Sequence, residues 1–162
     1  GDRTMKAIDP RMHTAEHLLN QAVGRILGCG RCFSAHIERR KSKCDYRFHR
    51  PLEAAELRAL EDEVNRIIDQ DLPVTWHLES RAQAAARFDL GRLPPEAGDQ
   101  VRVVHVGDYD ACPCAGPHAD RSGALGRFRL TGSDFRDGVL RLRFKLASAS
   151  GKPAAGAGLD SP

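Results

Sequence analysis

Two short segments, about a hundred residues apart, constrain what this chain can fold into more than anything else in it. His13-Thr-Ala-Glu-His17 sets two imidazoles at i and i+4, and Cys114-Ala-Gly-Pro-His118 sets a thiol and an imidazole at the same separation. On a helix such residues lie on one face, stacked a turn apart. In the second segment Gly116-Pro117 forces a turn that folds the thiolate and imidazole together. Soft sulfur and borderline nitrogen donors in a set of four favour zinc over magnesium or calcium. One ion can join both pairs only if a helix near residue 13 is laid against a turn near residue 116. The four expected metal ligands are therefore His13, His17, Cys114 and His118, with one Zn²⁺ per chain.

Two other groupings compete for the same residues. Cys29-Gly-Arg-Cys32 has CxxC spacing, and with Cys112 and Cys114 it could form a structural four-cysteine site, although Cys112-Pro-Cys114 is tight for one. A redox role for that CxxC lacks the βαβ context it needs. His13-x-x-Glu16-His17 also fits the inverted zinc-protease motif, with Glu16 as general base and Glu96 as a distant third ligand. That reading leaves Cys114 and His118 unexplained.

Around these segments the chain reads as mixed α and β. Arg11 to Leu27 is an amphipathic helix, with Met12, Ala15, Leu18, Leu19, Ala22, Val23 and Ile26 on one face. Pro10 precedes it, and Gly28 and Gly30 stop it. Phe33 to Ile37 and Cys44 to Phe48 form a hairpin joined by a basic segment. A second helix near Leu52 to Asp69 carries Leu57, Leu60, Val64, Ile67 and Ile68 on one side. Val74 to Leu78 alternates as a strand, and Ser80 caps a short helix through Arg87. Leu90 to Asp99, rich in Gly and Pro, is a connection. Val101 to Val106 is a buried strand, and Leu125 to Leu130 and Val139 to Leu146 are strands, with Asp137-Gly138 turning into the last. The expected fold is α+β, two-layer, with two long helices packed on a largely antiparallel sheet.

The 162 residues suit one domain, over residues 5–146. Gly1 to Thr4 read as an expression remnant, and 147–162 as a flexible tail of small residues. No apolar run approaches the roughly 20 residues of a membrane helix, so no membrane association is expected. Five cysteines, an odd number, read as reduced thiols or metal ligands, which places the chain in the cytoplasm. The net charge of +3 announces no nucleic-acid partner, but its distribution is uneven. Glu38 to Lys43 reads ERRKSK, and Arg121 to Lys145 holds seven basic residues against two aspartates. A basic surface of this kind suits phosphates.

HTAEHLL at 13–19 followed by CAGPH at 114–118 resembles the HxxxH and CxxxH pairs of the editing domain shared by alanyl- and threonyl-tRNA synthetases. ELRALEDEVNRIIDQDLPV, from Glu56 to Val74, resembles that domain's second helix and following strand, and Val101 to Leu146 its closing strands. The best match in size is the free-standing short form, the AlaX trans-editing proteins. The resemblance implies hydrolysis of the ester joining a wrong amino acid to the acceptor end of tRNA, most often Ser-tRNA-Ala or Gly-tRNA-Ala. CAGPH departs from the CGGTH usual in the alanine branch and is similar to the threonine branch, which makes Ser-tRNA-Thr the alternative. Zinc would polarise the ester carbonyl or activate a bound water, with no protein base assigned. A non-enzymatic tRNA-binding module with structural zinc is a further alternative. Editing answers a physical limit, since a pocket for alanine rejects an added hydroxyl only on the order of a hundredfold. Thr14, Ser34 and His36, close to the first histidine pair, are the expected substrate contacts. Arg39, Arg40, Lys41, Lys43, Arg127 and Arg129, with Arg141 and Arg143, are the expected phosphate contacts. Alternation along a strand turns every second arginine away from any one face.

Overall fold

The computed structural model describes residues 8–91, 93 and 98–147. Of the expected tail only Ala147 is described, and it belongs to the last strand rather than to a tail; residues 148–162 lie outside, as do Gly1 to Thr4 and Glu96. Helix α1 (Pro10–Leu27) starts where Asp9 caps it, its carboxylate accepting from the amides of Arg11 and Met12. Pro10 sits in the first turn, where a missing N–H costs nothing. Gly28 ends the helix at φ 76°, a left-handed position suited to glycine, and its N–H returns to Gly24 O.

Strands β1 (Ser34–Ile37) and β2 (Ser42–Arg47) form the expected hairpin, with Ser34 opposite Asp45 and Ile37 opposite Ser42. Helix α2 (Ala54–Gln70) begins at a capping box between Glu53 and Glu56 and buries Leu60, Val64, Ile67 and Ile68. Strand β3 (Val74–Ser80) leads into α3 (Arg81–Ala85), which Ser80 caps through Gln83. That helix stops short of the expected Arg87. Strands β4 (Gln100–Val106) and β5 (Asp110–Pro113) follow, then a 3₁₀ turn at Ser122–Leu125. Strand β6 (Arg127–Arg136) runs further than the sequence pattern suggests, and it meets β7 (Val139–Ala147) through Asp137-Gly138. Both turn residues have positive φ, 51° and 79°, as a tight hairpin turn requires.

The strands divide into two antiparallel sheets, ordered β1-β2-β7-β6 and β3-β4-β5. The expected single sheet is thus split. Helix α1 spans both. Its apolar side joins α2, Tyr46, Phe128, Leu140, Leu142 and Phe144 in the main core. Its other side reaches the second sheet, where Gln21 donates to Asp110 and Arg25 to Tyr109 O. Every residue from Met12 to Asn20 is consequently buried, the polar ones included. Ile26 is the exception among the expected core positions of this helix and is exposed, while its neighbour Leu27 packs against the main core. Full burial of each of Leu18 and Leu19 is worth about 1.5–3 kcal/mol. The valines of β4 serve two cores. Val101 and Val103 meet Ala84 on one face, and Val106 enters the main core on the other. That explains the dense β-branched run. Among the described residues no helix is long and apolar enough to cross a membrane.

Candidate metal centre

Burying the polar side of α1 brings His13 and His17 against the turn after β5. The donor atoms of His13, His17, Cys114 and His118 all lie within 4.8 Å of one another. Cys114 Sγ is 3.1 Å from His13 Nε2. The rings of His13 and His118 stack at 4.1 Å, and that of His17 stands edge-on to both. The turn itself is clamped by Arg102 of β4, whose guanidinium donates to Cys114 O and Gly116 O. Gly116 is there for space, since a Cβ on it would lie 2.6 Å from the His13 ring.

Each ring is oriented by its nitrogen away from the cluster. His13 Nδ1 is 2.9 Å from Pro117 O, a pure acceptor, so Nδ1 carries the proton and Nε2 faces Cys114 with its lone pair. The Thr14 hydroxyl gives its one proton to Pro10 O, so its contact with His118 Nδ1 at 3.0 Å is a bond donated by the imidazole. That fixes the lone pair of His118 on Nε2, a buried atom with no hydrogen-bond partner among the described residues. A buried imidazole lone pair aimed at two other imidazoles and a thiol fits a metal ion and fits little else. His17 Nδ1 lies 3.6 Å from Asp110 Oδ2, too long for a hydrogen bond but close enough to orient the ring. Asp110 is itself held by the Arg31 fork and by Gln21. A carboxylate behind a ligating histidine is the usual outer support of a metal site.

The charges agree with this. Burial opposes the Cys114 thiolate, but the His118, His13 and His17 rings gathered around it outweigh that cost and hold the thiol down to about 2. Burial also opposes a charged His17, yet Asp110 and Cys114 raise it to about 9. Burial and the neighbouring imidazoles bring His118 down to about 4. The surroundings that attract a proton to His17 suit a dication equally, so protons and metal compete for this site.

A cavity of about 730 Å³ opens onto the cluster, lined by His13, His17, Cys114, Glu16, Asn20, Arg31, Phe33 and Phe88 among others. The expected substrate contacts lie elsewhere. Thr14 is buried behind His118, supporting its ring and accepting from Ala119 N. Ser34 is exposed on β1, and His36 is exposed with its Nε2 2.6 Å from Glu38. Arg39, Arg40 and Lys41 are exposed at the β1–β2 turn, with Lys43 half-buried behind them. Most of the strand arginines have acidic partners: Arg127 pairs with Asp69, Arg141 with Asp45 and Arg143 with Asp134. Arg129 is exposed.

The four-cysteine grouping is not assembled. Among the described residues the second set of clustered donors is Glu16, Cys32 and Cys44, which contains neither Cys29 nor Cys112. Glu16, which spacing alone could leave at the surface, is only 4% exposed and lies on the cavity wall. The third ligand proposed for a protease, Glu96, lies outside the described residues. Asp110, Arg31 and Arg102 support the centre without any signal in the sequence, because they act across 12 residues or more, outside any local period.

Residues 101–143 match the family described as Threonyl and Alanyl tRNA synthetase second additional domain. The chain is similar to an alanine–tRNA ligase of Methanopyrus kandleri, at 33% identity over 158 residues covering 93% of this chain and 17% of that protein. It is 34% identical to one of Methanoculleus marisnigri over 169 residues, covering 93% and 18%. A bacterial relative, from Pseudothermotoga lettingae, is 33% identical over 130 residues, covering 80% and 15%. The chain spans about a sixth of the length of these curated relatives. A four-donor cluster at the predicted ligand pairs thus sits in a chain that is similar along nearly all of its length to alanine–tRNA ligases, and whose residues 101–143 match the second additional domain of threonyl and alanyl tRNA synthetases.

Proposed function

We propose that this chain is a zinc-dependent editing hydrolase that removes the wrong amino acid from tRNA, acting on Ser-tRNA-Ala or Gly-tRNA-Ala in the cytoplasm. The observation that carries the reading is the buried His13–His17–Cys114–His118 cluster opening onto a cavity of about 730 Å³. That size suits an aminoacyl-nucleoside. Similarity to alanine–tRNA ligases favours tRNA-Ala, against the threonine-like turn CAGPH.

His13, His17, Cys114 and His118 would hold the ion. When bound, zinc supplies Lewis acidity toward the ester carbonyl. The remaining tasks belong to the protein. Pro117 O and Thr14 keep the outer protons of His13 and His118 in place, and Asp110 orients His17. The cavity wall positions the aminoacyl ester, which is worth far more than loose binding because a small misplacement costs rate steeply. Five free cysteines agree with a reducing compartment.

The deciding experiment is a deacylation panel of Ser-, Gly- and Ala-tRNA-Ala beside Ser- and Thr-tRNA-Thr. Hydrolysis of seryl- or glycyl-tRNA-Ala with alanyl-tRNA-Ala spared is the expected result. Preference for Ser-tRNA-Thr would move the chain to the threonine branch. A second reading has one observation in its favour: four protein ligands make the closed shell of a structural zinc. A tRNA-binding module would bind every member of the panel and hydrolyse none.

A further inference from the structure

Glu16 is a buried carboxylate beside the metal centre, and the ligand assignment leaves it without a task. It is only 4% exposed, yet it lines the cavity. Its Oε1 is 3.7 Å from His13 Nε2, the nitrogen that faces the cluster. Its other oxygen is fixed, since Oε2 accepts from Asn20 Nδ2 and from Cys32 Sγ, both at 3.3 Å. Asn20 is in turn locked by Tyr46, whose hydroxyl donates to Asn20 Oδ1 at 2.8 Å, and by the Cys32 amide at 3.2 Å. This network holds one carboxylate rigidly at the edge of a reaction site.

An aminoacyl ester brings a cation of its own. Its α-ammonium stands two bonds from the ester carbonyl carbon, so a carbonyl placed at the centre puts the ammonium within a few ångströms of it. A buried cation requires a partner, and a positive group beside a metal ion requires one more. We infer that Glu16 is the specificity-determining residue that receives the α-ammonium of the aminoacyl ester, restricting the site to esters of free amino acids. This rests on the deacylase reading above. It gives Glu16 a binding role, distinct from the general base that the inverted-protease motif would make of it.

The test compares seryl-tRNA with N-acetylseryl-tRNA, which keeps the ester and hydroxyl but lacks the charge. Wild type and Glu16→Gln, matched for zinc content and melting temperature, are assayed on both. Wild-type kcat/KM should fall roughly 100-fold on acetylation, the size expected when one partner of a buried ion pair is removed. Glu16→Gln should treat the two substrates alike within about threefold, chiefly through a raised KM for the free amine, and Glu16→Asp should keep the preference. Indifference of the wild type to acetylation overturns the proposal. So does a Glu16→Gln protein that loses both substrates equally through kcat, which is the signature of a lost proton acceptor. If the wild type hydrolyses neither, the deacylase reading fails separately. Calorimetric binding of stable 3′-amide seryl-adenosine with free or acetylated amine then decides the ammonium preference alone, a tighter free amine supporting it and equal affinities refuting it.

Discussion

The candidate metal centre and the basic surface are built on opposite plans. At the centre, the outer nitrogens of His13 and His118 each meet a protein oxygen at hydrogen-bond distance, a carboxylate stands behind His17, and the groups are largely buried. On the surface, Arg39, Arg40 and Lys41 stand in solvent, and Arg127, Arg141 and Arg143 lie against aspartates. Groups that must meet one ion need directions, and directions come from second partners in a dry interior. Groups that must meet a flexible polyanion need only charge and reach, which water and salt weaken. A change at the centre should therefore act steeply and locally, and one at the surface weakly and in a salt-dependent way.

The largest expected effect breaks the centre outright. His17→Ala or Cys114→Ala should lower zinc from about one ion per chain to a small fraction, read by elemental analysis after dialysis. A Cys29→Ser, Cys32→Ser double variant should keep its zinc. Metal lost from the double variant but held by the other two would transfer the site to the cysteines.

The next effect comes through the supports. Asp110→Asn keeps the shape but removes the charge behind His17, and zinc affinity should fall about 10–100-fold, measured by competition with a chelating dye. Unchanged affinity would reduce Asp110 to a partner of Arg31. Gly116→Ala should act in the same range without replacing a ligand, because its methyl group meets the His13 ring at 2.6 Å. Far-ultraviolet dichroism should stay native while affinity drops. If affinity holds, the turn gives way more easily than the Arg102 clamp implies.

The smallest effect tests the surface. Replacing Arg39, Arg40 and Lys41 together by alanine should raise KM for mischarged tRNA several-fold and leave kcat nearly unchanged. The difference should shrink as salt rises, since each neutralised phosphate releases counterions. Salt-insensitive kinetics with no change in the variant would leave the turn without a role in holding tRNA.

The sequence by itself determined the parts of this protein that are written in local spacing. The i and i+4 histidines, the CAGPH turn, the amphipathic stretch of α2, the Ser80 cap and the Asp137-Gly138 turn all follow from backbone periods and local sterics, and each is found within a few residues of where it is expected. The meeting of His13 and His17 with Cys114 and His118 across a hundred residues was legible too, because two half-sites of complementary chemistry have one economical way to be completed. The tertiary structure decided what depends on packing. It split the strands into two sheets, and by laying α1 between them it buried the polar side of that helix as well as the apolar one. That is why Thr14 braces a histidine rather than lining the cavity, and why Glu16 lines it. Asp110 reaches His17 from 93 positions away, and Arg102 grips the turn from the neighbouring strand. No period in the chain encodes such contacts, since a carboxylate or guanidinium acquires its partner only when the core closes around it.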